Sequence, residues 1–174
     1  MVLLFCSLIS VFAIISQTSF VVAQTPSSSL RTPAKKQVRI YLAMEVKESD
    51  KFDSKNPGNL QPVFRKVSAA APLRETLLLL LAGPTHPEEA AGYSDISYGI
   101  KLVSVKMKNG TVRADFTMPP GAAFSGDMSP FYFRDAVVFT ARQFPQVKKV
   151  TVCLDGILDF WSESDEPPKK CPNL

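Results

Sequence analysis

Ile100-Lys101-Leu102-Val103-Ser104-Val105-Lys106-Met107-Lys108-Asn109-Gly110-Thr111-Val112-Arg113-Ala114-Asp115-Phe116-Thr117-Met118 is the stretch from which the fold can be read. Apolar and polar side chains alternate on both sides of Asn109-Gly110. A period of two marks a half-buried strand. Asn-Gly is the preferred centre of a two-residue type I′ turn, because both residues accept positive φ. The stretch therefore predicts a β-hairpin with arms at 100–108 and 111–118. Val103, Val105 and Met107 would share one face of the first arm, and Val112, Ala114, Phe116 and Met118 one face of the second. Asn109-Gly110-Thr111 also matches a glycosylation sequon, but the turn accounts for these residues without a sugar.

Working outward, Val38, Ile40, Leu42, Met44 and Val46 alternate with Arg39, Tyr41, Ala43, Glu45 and Lys47, which is another half-buried strand. Residues 48–59 are charged and hold a turn at Asn56-Pro57-Gly58. A strand follows at 61–68, and Pro62, which cannot donate to a neighbour, suits a sheet edge. Pro72 fits the first position of a helix. Leu73, Leu77, Leu80 and Leu81 lie on one helical face, widened by Leu78 and Leu79. Gly83-Pro84 stops that helix, since Gly accepts the left-handed C′ conformation and Pro cannot continue. Residues 85–99 read as irregular.

On the other side of the hairpin, Pro119-Pro120-Gly121 breaks the chain. Ser129-Pro130 then gives an N-cap and a proline at N1 of a second helix, running to about Phe144. Phe133, Val137, Thr140 and Phe144 form its buried stripe, with Ala136 and Ala141 beside them. The next strand has Val150, Val152 and Leu154 inward and Thr151 and Cys153 outward. Asp155-Gly156 turns into a last strand at 157–161. The order is β-β-α-β-β-α-β-β, an α+β fold with two helices packed on one face of a mostly antiparallel sheet.

The 174 residues, 45% hydrophobic and 21% charged, suffice for one domain with a sizeable core. Residues 1–23 contain no charged side chain. They read as a signal peptide cleaved after Ala23, the alternative being an uncleaved membrane anchor, which needs roughly 20 apolar residues. Residues 24–36 read as a flexible linker, 37–162 as the domain and 163–174 as a polar tail. Export follows, to the periplasm, the cell wall or the medium. Of three cysteines, Cys6 falls in the leader, so Cys153 and Cys171 remain, an even number in an oxidising compartment. A bridge between them would tie the tail to the strand across a loop of roughly 17 residues, worth about 3 kcal/mol in the chain-entropy model. The alternative is two unpaired thiols.

A net charge of +4, with basic residues spread along the chain, suits a solvated surface or a weak attraction to anionic envelope polymers or lipid head groups. Export argues against nucleic acid as a partner. Membrane contact is expected only if the N-terminal segment stays uncleaved. Nothing forms a catalytic set. His86 is the sole histidine and falls in a loop after a helix end. Asp155 and Asp159 could be imagined as a carboxylate pair, yet Asp155 is explained as the residue before a turn glycine. Glu163, Asp165 and Glu166 lack EF-hand spacing. Residues 83–92 lack the ending of a phosphate loop, and no His and Cys cluster suits zinc. No catalytic, cofactor or metal residue is nominated. Binding is open: Tyr98 and Trp161 are loop aromatics suited to a sugar ring or to capping the core edge. Phe124, Phe131 and Tyr132 suit a protein-contact patch or packing beneath residues 119–129.

An ordered set of segments carries a family resemblance. These are Val38-Arg39-Ile40-Tyr41, then Leu60-Gln61-Pro62-Val63-Phe64-Arg65-Lys66-Val67, then Leu79-Leu80-Leu81-Ala82-Gly83-Pro84. Asn109 to Phe116, Val137 to Val147 and Val150-Thr151-Val152-Cys153-Leu154-Asp155-Gly156 complete the series. Together they resemble the GerMN domain of sporulation and spore germination proteins, over roughly residues 38–161. The resemblance implies a non-catalytic domain of the bacterial cell envelope that associates with itself or with an envelope protein as a scaffold. The alternative expectation is a module that binds peptidoglycan through its loop aromatics.

Overall fold

The first strand, β1 (Lys35–Met44), pairs antiparallel with β2 (Leu60–Ser68) in unbroken register from Lys35↔Ser68 to Ala43↔Leu60. The structure, a computed structural model, describes residues 34–46, 53–161 and 166–174. The expected leader, most of the expected linker, and Glu163 and Asp165 lie outside the described residues. The strand starts at Lys35, inside the stretch read as linker. Val38, Ile40 and Leu42 are buried, as their alternation demands. A two-residue strand, β3 (Tyr93–Ser94), meets Ala43 and Met44, giving the order β2-β1-β3.

A second three-stranded sheet has the order β4-β5-β6, from β4 (Lys101–Lys108), β5 (Thr111–Thr117) and β6 (Lys149–Leu154). β4 and β5 are the expected hairpin, and Asn109 and Gly110 have φ of 51° and 79°, as a type I′ turn requires. One arm differs from its reading. A bulge between Leu102 and Ser104 shifts the register, so Val103 is 60% exposed and Leu102 joins Val105 against the core. β6 runs parallel to β5, which the long connection through a helix allows.

Helix α1 (Pro72–Leu81) has the predicted limits and buries Thr76, Leu77 and Leu80. Gly83, at φ 72°, follows its end. The irregular stretch contains a short helix, α2 (His86–Ala90), entered through a capping box between Thr85 and Glu88. Helix α3 (Ser129–Arg142) buries Phe133, Ala136, Val137, Thr140 and Ala141. Ser129 does not cap it; its hydroxyl donates back to the Ser125 carbonyl. The fold is α+β; among the described residues it has one more helix than expected, and its strands are divided between two sheets.

The division has a physical cause. Beyond β3, the second edge of β1 is met by α3 rather than by a strand. The Tyr41 N–H donates to Thr140 Oγ1 at 3.1 Å and the Arg39 N–H to Gln143 Oε1 at 2.8 Å, while Gln143 Nε2 donates to the Arg39 carbonyl at 2.6 Å. One core cluster centres on Ile40, Leu77, Phe116, Phe133 and Val137. A smaller one gathers Val38, Val67, Val112, Phe144 and Val147 at one end of both sheets.

The expected last strand at 157–161 is replaced by a strap. Asp155 and Gly156 do turn, with φ of 50° and 81°, but Ile157 makes only isolated bridges, to Leu154 and to Lys170. The tail has taken the partner's place: Leu158 N–H donates to the Lys169 carbonyl at 2.7 Å, and Lys169 N–H to Asp159 at 2.8 Å. Cys153 lies on the outward side of β6, yet it is wholly buried, because the tail brings Cys171 over it to disulfide distance with Cα atoms 6.0 Å apart. Every strand pairing, both core clusters and the two cysteines fall within residues 32–174, one compact unit. Among the described residues, no helix is long and apolar enough to cross a membrane.

Candidate functional site

Helix α3 has a buried face and a mixed apolar and basic face. One faces the core; the other carries Phe131, Arg134, Val138, Phe139 and Arg142 along an open groove of about 560 Å³. Pro57, Met128 and Trp161 close its sides. Its centre is a cation held between two rings. The Arg134 guanidinium lies 4.7 Å from the Trp161 ring centroid and 5.7 Å from that of Phe131. Asp135 fixes it, accepting from Nε at 2.9 Å and from Nη2 at 2.6 Å. Packing against the rings restricts the guanidinium, and Asp135 takes two of its N–H groups. Arg134 was not singled out from sequence. The signal was there in Phe131 and Arg134, three apart on one helical face.

The sequence-nominated aromatics separate into two groups. Phe131 and Trp161 line the groove. Tyr98, Phe124 and Tyr132 are engaged in packing. Tyr98 meets Phe124 edge-on at 5.2 Å, and Phe124 stacks on Phe160 at 6.1 Å and against Phe133 at 6.2 Å. Tyr132 covers Gly58 so closely that a Cβ there would sit 2.7 Å from the ring. Trp161 is itself edge-on to Phe160 at 5.0 Å, so one side of it continues the core.

The titratable candidates are spread over separate elements and are spoken for. His86 is 96% exposed at the start of α2, 3.7 Å from Glu89. Asp155 accepts from Thr117 Oγ1 at 2.7 Å, which secures the Asp155-Gly156 turn to β5. Asp159 holds the tail. Arg65 and Glu88 form a bidentate pair at 2.7 and 2.5 Å, and Arg65 draws the Glu88 carboxyl down from 4.5 to about 2. That pair joins β2 to α2 and is structural.

The sequence profile of the family described as sporulation and spore germination (Germane) matches residues 39–158. The chain belongs to that family. Among solved structures, the tandem GerMN domains of the sporulation protein GerM from Bacillus subtilis have a TM-score of 0.53 at 22% identity, over 80% of this chain and 46% of that one. The first GerMN domain of the same protein has a TM-score of 0.47 at 16% identity, over 72% of this chain and 90% of that one. This chain thus spans less than half the length of the tandem structure. No curated protein matches it in sequence. In this GerMN-type domain the matched residues run from β1 to the start of the strap, so the α3 groove lies almost wholly inside them. The Cys171 strap and Trp161 lie beyond.

Proposed function

We propose that the chain is an exported, non-catalytic structural module of the bacterial cell envelope, of sporulation and germination type, that works by protein contact through the outer face of α3. The observation that supports this reading is the Phe131–Arg134–Trp161 stack in an open groove. Aromatic and arginine side chains held in fixed conformations are what protein interfaces favour, since little side-chain freedom is lost on contact. The family's association with sporulation and germination supports the setting. The pairing of Cys153 with Cys171 supports an oxidising compartment. The partner is a second copy or an envelope protein.

Light scattering after gel filtration tests the self-association branch, using residues 24–174 over a concentration series. A defined oligomer that Val138→Asp returns to monomer supports it. A monomer at every concentration removes that branch and leaves an envelope partner. Trp161 also gives a second reading, a wall-glycan module, although Arg134 covers one face of the ring. Co-pelleting with purified cell wall that Trp161→Ala abolishes would favour the glycan reading over protein contact.

A further inference from the structure

The strands sort the charges of the molecule. Lys35 and Lys36 open β1, and Lys66 lies opposite Gln37 near the end of β2. Lys106 and Lys108 end β4, and Lys148 and Lys149 bring the chain into β6. The register joins these places: Lys108 faces Thr111, and Thr111 faces Lys149. The smaller core cluster draws the starts of β1 and β5 together, and Lys36 lies over the Phe144 ring of that cluster at 5.2 Å. Lys148 packs against the Gly110 turn, its N–H donating to the Gly110 carbonyl at 2.8 Å. All of these lysines are exposed.

Carboxylates are sparse at this end. Among the described residues, the acidic side chains that these elements bring nearest are Glu75, which accepts from the Ser68 N–H at 2.6 Å, and Asp115, diagonal to Lys106 in the register and paired with Arg113 at 2.7 Å. None of the lysines forms an ion pair with a described carboxylate. Glu45, Asp95, Asp127 and Asp155 belong to the opposite ends of the strands. Met107, half exposed between Lys106 and Lys108, adds an apolar contact. The first strand of the domain also starts at this pole, with Lys35 and Lys36.

We infer that the lysine pole is a docking face for an anionic lipid surface, which orients the domain with its β4–β5 turn toward the head groups. Clustered exposed lysines gain from a negative surface potential in proportion to their number, and the gain fades with salt. The inference stands apart from the α3 groove, whose Phe131, Arg134 and Trp161 belong to another face.

The test is co-sedimentation of residues 24–174 with vesicles of phosphatidylcholine alone or mixed with phosphatidylglycerol. Binding should require phosphatidylglycerol and fall as salt rises. Lys106→Gln with Lys148→Gln should weaken it about 25-fold, roughly fivefold per lysine. Lys55→Gln with Lys101→Gln, away from this pole, should leave it nearly unchanged, as should Arg134→Gln, on the groove face. Equal binding to both vesicles, or equal loss in the two lysine pairs, would overturn the inference. So would binding to a soluble polyglycerol phosphate but not to vesicles, which would make the partner a wall polymer instead.

Discussion

Arg65 donates to both oxygens of Glu88, and Glu88 also accepts from the Thr85 N–H at 2.8 Å, so one carboxylate fixes the start of α2 and secures it to β2. The charged form is favoured by the guanidinium first, which holds the carboxyl at about 2 against its ordinary 4.5. The sign follows from the depression. The contribution is complete above about pH 4.5 and is lost as pH falls toward 2. Both side chains keep some solvent contact, which limits the contribution to about 1 kcal/mol. Glu88→Gln keeps the cap acceptor and removes the charge. The variant should therefore lose about 1 kcal/mol at pH 7 and show a flatter decline in its urea midpoint across that acid window. An unchanged decline would mean that other carboxylates set the acid limit. At this scale the sequence was only partly legible. Asn109-Gly110 and Gly83 declared their backbone conformations, because few residue pairs tolerate positive φ. Arg65 and Glu88, far apart in sequence, declared nothing until the fold joined them.

Helix α3 serves both as core element and as edge cover for β1. Thr140 and Gln143 replace the strand that would otherwise pair with Arg39 and Tyr41. Thr140→Val keeps the shape and removes the acceptor, leaving the half-buried Tyr41 N–H unpaired, at a cost of about 1–2 kcal/mol. Hydrogen exchange should quicken at Tyr41 while the Ile40 amide, on the alternate side of the strand, stays protected by β2. Equal exchange at Tyr41 in both proteins would show that this bond does not hold the edge. The limits of α1 and the hairpin could be read because their periodicity and stop residues agree. The bulge at Val103 could not, since an added residue leaves the apolar composition unchanged and only reverses which side faces the core. The strap was misread as a strand for a similar reason. Ile157, Phe160 and Trp161 are as apolar as strand residues, but Phe160 packs with Phe124 and Phe133, and the tail supplies the backbone partners.

At the scale of the molecule, a Cys153–Cys171 disulfide adds a covalent constraint to a tail that backbone hydrogen bonds also hold. Arg113 Nη1 donates to the Pro172 carbonyl at 2.7 Å, and Cys171 N–H to the Gly156 carbonyl at 2.9 Å. Cys171→Ser should lower stability by about 3 kcal/mol, given a sequence separation of 18. Thermal melting in the presence of reductant should bring the parent chain to the variant's midpoint; a midpoint indifferent to reductant would mean that the thiols are unpaired. The family was legible from ordered segments, whereas the groove was not, because it is completed by Trp161 from the strap and Pro57 from a distant loop. Its role is tested most directly by a photo-reactive residue in place of Phe131, irradiated in the cells that produce the protein, with Met107 substituted in the same way as a control. Position 131 should give adducts of discrete mass, to a second copy or to one envelope protein, that Arg134→Glu removes and position 107 does not give. Folded protein that yields no protein adduct from position 131 would contradict the account.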